Sequence, residues 1–145
     1  MHISDKGIHF IIKEEGLRLK AYRCQAGVWT IGVGHTAGVK KSDTITKEQA
    51  YELLKRDLKA FEDILNKNIQ VQLKQHEFDA LMSFVFNIGA GAFKKSTLLK
   101  KLNNNEDITG EFEKWKYGGG RVLPILVARR KRELILFKEG KYGIR

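Results

Sequence analysis

Cysteine and proline occur once each in 145 residues, and 17 acidic side chains face 27 lysines and arginines. A single thiol, Cys24, cannot close a disulfide within the chain, so the fold does not depend on an oxidising compartment. The same scarcity removes a structural zinc site, because Cys24, His2, His9, His35 and His76 are scattered without ligand spacing. Long apolar runs are missing as well. The N-terminal MHISDKGIHFIIKEEG has no extended apolar core and no small-residue cleavage site, and it reads as no signal peptide. The most apolar stretch, FDALMSFVFNIGAGAF, is interrupted by Asp79, Ser83 and Asn87 and is too short to span a bilayer. The expectation is a chain made and held in a cytoplasm, with action elsewhere depending on something else to release it. The deficit of acid leaves a net charge of +10 and a pI near 9.7. Such a surface attracts polyanions, and nucleic acid, an anionic membrane and an acidic cell-wall polymer all qualify.

What is present suffices for one compact domain with a real core. No repeat or low-complexity linker divides it. Asp5 is placed to cap a helix running to Glu15, with Ile8, Ile11 and Ile12 on one face and Gly16 as its stop. From Leu17 to His35 the period changes to two, with a Gln25-Ala26-Gly27 turn, which predicts a β-hairpin. Thr46-x-x-Gln49 is a capping box, with Ile45 placed to staple onto Ala50. The helix it opens carries Ala50, Leu53, Leu54, Leu58, Phe61 and Leu65 and should end near Lys67, a rod of roughly 30 Å. Beyond it the pattern reads as helical throughout. An almost wholly apolar segment from His76 to Ile88 is followed by short helices near Ser96 to Leu102 and Ile108 to Lys116, then a last one from Pro124 to Phe137. The predicted class is α+β, mostly α. The first helix and a small β lobe span about 1–45, a connecting helix about 46–67 and a helical lobe about 68–145, with a ligand cleft between the lobes.

The most informative stretch is EEGLRLKAYRCQAGVWTIGVGHT, Glu14 to Thr36. Glu15 lies at the carboxyl end of the first helix beside Glu14, a setting that disfavours ionisation and suits a general acid. Arg18 is near enough to oppose that or to orient the carboxyl. Thr30 shares its strand face with Gly32 and Gly34, a clear landing surface for a flat ring such as a sugar. Cys24 alternates in step with Arg18, Lys20 and Tyr22. Singly, each residue has a plainer reading: Glu15 as an exposed last-turn residue, Thr30 as a β-favouring side chain in water, Cys24 as a small buried hydrophobe.

Their order is more specific. Glu15, eight residues, Cys24, five residues and Thr30 resembles the E-x8-[D or C]-x5-T signature of the phage lysozymes, the endolysins of glycoside hydrolase family 24. The likeness extends through ITKEQAYELLKRDL, QHEFDALMSFVFNIGAGAF and W-x-Y-x-x-G-x-x-L-P followed by LVARRKRE, so it covers nearly the whole chain in order. The resemblance implies a lysozyme-like fold and a muramidase that cuts the β-1,4 bond between N-acetylmuramic acid and N-acetylglucosamine in peptidoglycan. By carry-over Glu15 protonates the glycosidic oxygen, while Cys24 with Thr30 positions the attacking water. No metal or organic cofactor is implied. Phe86 and Ser96 resemble a cleft-lining aromatic and hydroxyl, although core packing and helix capping explain them equally well. Arg129 resembles a basic partner for the acidic end of the first helix, Glu14 being the candidate, and the rest of the run from Arg129 to Arg132 reads as a solvated face. Ile125 departs from the pattern, Gly being more familiar there. The aspartate more familiar at the Cys24 position would let stereochemistry be read from carboxylate separation; a thiol removes that argument, and the reading here is inversion with a bound water. The implied partner is the peptidoglycan glycan strand, met by a monomer with no nucleic acid and no membrane anchor. Passage from the host cytoplasm to the wall would depend on a holin. The rival readings are a basic nucleic-acid-binding module and an inactive wall-binding relative.

Overall fold

The computed structural model describes residues 1–143, so the last two positions of the predicted helical lobe lie outside the described residues. Helix α1 spans Asp5–Glu15 and packs Ile8, Phe10 and Ile11 inward. Its cap is Ser4, not Asp5: the Ser4 hydroxyl accepts from the Gly7 amide at 3.0 Å, and Asp5 instead takes the Tyr51 hydroxyl at 2.5 Å. Gly16 ends the helix as expected, at φ 84°, a conformation that disfavours a side chain.

Strands β1 (Arg18–Arg23) and β2 (Trp29–Gly32) form the antiparallel hairpin, with Tyr22 opposite Thr30 and Arg23 opposite Trp29. The strict alternation expected of it is not observed. The register shifts between Arg18 and Tyr22, Leu19 is exposed, and Thr30 through Val33 are buried without a break. The cause is added cover: the 43–45 segment pairs along β1 through Ala21 N–H to Asp43 O and Ile45 N–H to Leu19 O, both at 2.8 Å. The hairpin therefore has a third, very short edge partner.

Helix α2, Lys47–Asn68, opens on the predicted capping box, Thr46 and Gln49 bonding each other's backbone amides at 3.1 and 2.8 Å. It buries Ala50, Leu54, Leu58 and Leu65 along one stripe. Helix α3, Gln75–Ile88, is buried without interruption from Phe78 to Val85 and forms the axis of the larger, helical part, packing most extensively on α6. Short α4 (Ala90–Lys94) and α5 (Thr97–Asn103) follow. The helix predicted from Ile108 to Lys116 is a single 3-10 turn at Phe112–Lys114, and the next residues form a second small hairpin, β3 (Tyr117–Gly118) with β4 (Arg121–Val122). Ile108 and Phe112 are both buried, which mimics helical spacing, but Gly110 and the Gly118-Gly119-Gly120 turn favour other backbone shapes. Helix α6 runs Pro124–Glu139 with proline in its first turn. Ile125, 73% exposed in that turn, packs against little. One core joins α1, α2, α3, α5 and the 3-10 turn, and reaches Val33 just beyond β2.

Candidate active site

The hairpin turn holds Cys24 closely. Its amide donates to Val28 O at 3.0 Å and its carbonyl accepts from Gly27 N–H at 2.8 Å. The backbone N–H of Val28, then that of Ala26, holds the thiol below its ordinary pKa, and the Thr30 hydroxyl acts in the same direction. Thr30 is only 3% exposed, and its hydroxyl donates to Val28 O at 2.9 Å. Cys24 and Thr30 are thus brought together across the turn. Thr30 does not, however, lie on an open landing surface.

The two glycines differ. Gly32 is buried against Ile45 and Ala50 at the start of α2, and its φ of 67° is what calls for glycine there. Gly34 faces open space. Phe86 is half-buried and stacks edge-on against Phe61, ring centres 5.3 Å apart. Ser96 is buried and caps α5: its hydroxyl donates to Phe93 O at 2.7 Å and accepts from Leu99 N–H at 3.1 Å. A hydroxyl engaged in this way is a helix cap, and neither it nor Gly32 presents a group to a sugar.

Glu15, at the end of α1 and three residues before β1, has a side chain 27% exposed and is gripped by Arg129 Nη1. The sequence reading assigned Arg129 to Glu14; the structure gives Glu14 to Arg132, with two bonds at 2.6 and 2.7 Å. Arg18 instead stacks on Tyr22, 4.4 Å from the ring centre. The run from Arg129 to Arg132 is only partly solvated, because Arg129 and Arg130 are 5% and 1% exposed. Both lean on Glu133, a residue the sequence reading passed over although its spacing from Arg129 is one helical turn. Arg130 also bonds Asn87, which with Trp115, Tyr117 and Leu126 lines a cavity of about 510 Å³. No motif pointed to that cavity, whose walls come from three separate segments.

The chain as a whole is similar to known proteins. The phage lysozyme family model matches residues 12–133. The chain is 49% identical over 144 residues to an endolysin of Acyrthosiphon pisum secondary endosymbiont phage 1, covering 95% of this chain and 99% of the other. It is 45% identical over 144 residues to the endolysin of Salmonella phage P22, covering 94% and 98%. A crystal structure of a P22 lysozyme mutant superposes with a TM-score of 0.88 at 44% identity, covering 94% of this chain and 98% of that one. With the Glu15, Cys24, Thr30 order set on this helix and hairpin, and with likeness running almost end to end, the chain belongs to the phage lysozyme family of glycoside hydrolases.

Proposed function

We propose that this peptidoglycan hydrolase of the endolysin type acts as a muramidase, cleaving the β-1,4 bond between N-acetylmuramic acid and N-acetylglucosamine. Glu15 gives its proton to the glycosidic oxygen as that bond breaks. A water held at Cys24 adds its oxygen to the anomeric carbon from the opposite face, and its proton passes to the sulfur. Thr30, buried and bonded to Val28 O, braces the turn that carries the sulfur and does not meet the sugar, and the lowered thiol is more readily present as the thiolate that takes this proton. Gly34 leaves the approach to the hairpin open, and Phe86 packs against Phe61 of α2. The observation that carries this reading is the Cys24–Thr30 pair fixed by a turn, on a hairpin entered directly from an Arg129-anchored Glu15.

The positive charge fits an anionic envelope as target. The rival assignment to nucleic acid loses its best feature, since two of the four cations it would use on α6 are buried and Arg132 is paired to Glu14. Among the described residues no helix is long and apolar enough to cross a membrane. In the proposed sequence of events a single-domain monomer waits in the host cytoplasm and reaches the wall through a holin lesion. Wild-type protein should clear a suspension of outer-membrane-stripped cells and Glu15→Gln should lose at least about a hundredfold in rate. Equal clearing by both would remove Glu15 as the acid.

A further inference from the structure

We propose that Glu133 is a positioning residue for Glu15: buried behind Arg129, it fixes the direction of that guanidinium and the share of its positive charge that reaches the Glu15 carboxyl. The inference rests on the reading of Glu15 as the general acid. Arg129 is the group that grips the Glu15 carboxyl, so whatever fixes the Arg129 guanidinium also fixes the acid and the charge beside it.

Glu133 is such a group. Arg129 spends Nε on Glu133 Oε2 at 3.1 Å and Nη2 on Ser83 O and Oγ at 3.2 and 3.3 Å, which leaves Nη1 facing Glu15. The same Glu133 oxygen takes the Ser83 hydroxyl at 2.6 Å, so α3 and α6 fix the acid from two sides. Arg130 Nε lies 3.2 Å from the other oxygen but without hydrogen-bond alignment, and its Nη2 is turned to Asn87. Glu133 is therefore bonded to Arg129 and only leaned upon by Arg130. Burial pushes the Glu133 carboxyl upward in pKa, and the two guanidiniums oppose that.

The charged groups near Glu15 are its neighbour Glu14, Arg18 in the hairpin, and Arg129, Arg130, Arg132 and Glu133 of α6. The ionisable residues of α3 lie nearer its start and are bonded elsewhere: His76 to Leu136 O, Glu77 to Lys74 N–H, and Asp79 to Ser4 and Tyr142. Three acids thus face three arginines across α1 and α6, and removing Glu133 would leave Arg129 acting on Glu15 alone. A buried ion-pair cluster is weak support for stability, and apolar packing could replace it, so its electrostatic effect on Glu15 is the more telling consequence.

The test is the pH–rate profile for solubilising purified peptidoglycan, with thermal melts confirming that each variant folds. Glu133→Gln should move the alkaline limb down by roughly one pH unit, since the Arg129 charge is no longer shared. Arg130→Met should move it up, because a positive charge is lost and Glu133 is left wholly to Arg129. Limbs that stay at the wild-type position, or that both move the same way, would overturn the proposal. Should one variant fail to melt cooperatively, the direction of the other decides. Glu15→Gln is measured alongside: its full activity would sink the general-acid reading itself, whereas an inactive Glu15→Gln with unmoved limbs would sink only the role of Glu133.

Discussion

Cys24 shows how a turn can set the chemistry of one atom. The N–H groups of Val28 and Ala26 that lower its thiol belong to the loop it closes, so the effect depends on the folded turn. Alkylation by iodoacetamide should accordingly become fast at a lower pH than for an unstructured cysteine peptide, and urea should abolish the difference. Because the site asks for a polar group that holds water, Cys24→Asp should retain activity within about tenfold. Proton NMR of the first-formed anomer should show inversion; a retained β-anomer, or loss of all turnover in Cys24→Asp, would mean that sulfur attacks the sugar. At this scale the sequence order singled out Glu15, Cys24 and Thr30, which lie at the end of α1 and on the hairpin that follows it. It missed the pairing of Arg129 with Glu15, because a contact between the end of α1 and α6, 114 residues apart, leaves no local trace.

Among the elements, the start of α1 depends on the far end of the chain. Asp79 of α3 accepts from Ser4 N–H at 3.1 Å, from Gln75 at 2.9 Å and from the Tyr142 hydroxyl at 2.6 Å, tying the α1 cap to the segment after α6. Burial, then the Asp79 bond, pushes Tyr142 up to about 12, and burial with Asp5 does the same for Tyr51, also to about 12. A raised tyrosine is stabilised in its protonated form, so this contribution is full below the unfolded value of about 10 and is lost as pH rises from there toward 12. Stability measured in urea should therefore decline across that window, and Tyr51→Phe with Tyr142→Phe should flatten the decline; an equal decline in the double variant would assign it to other groups. Helices with a strong local signal were legible. The Thr46–Gln49 box and the leucine stripe placed α2 within a residue or so at each end, and the apolar run placed α3. The second hairpin was not legible, since two-residue strands have no period to read and a Trp-x-Tyr near glycines suits several shapes. The buried faces of β2 were hidden for another reason: the alternation there is overridden by the 43–45 segment and by α2, both distant in sequence.

For the whole molecule, the +10 charge is carried outward. The buried cations, Arg129 and Arg130, are matched by Glu15 and Glu133, so the excess lies on exposed lysines and arginines such as Lys40, Lys41, Lys94, Lys95 and Arg121. Attraction to an anionic wall through such charges is screened over roughly 10 Å at 0.1 M salt, so lytic activity should fall several-fold between low and moderate ionic strength. Activity independent of salt would separate the surface charge from wall binding. The most direct test of the account is chemical: the new reducing ends released from purified peptidoglycan, trapped by borohydride and identified by mass. Wild-type protein should release N-acetylmuramic acid ends and Glu15→Gln almost none. Release of N-acetylglucosamine ends, or equal release by the two proteins, would contradict it.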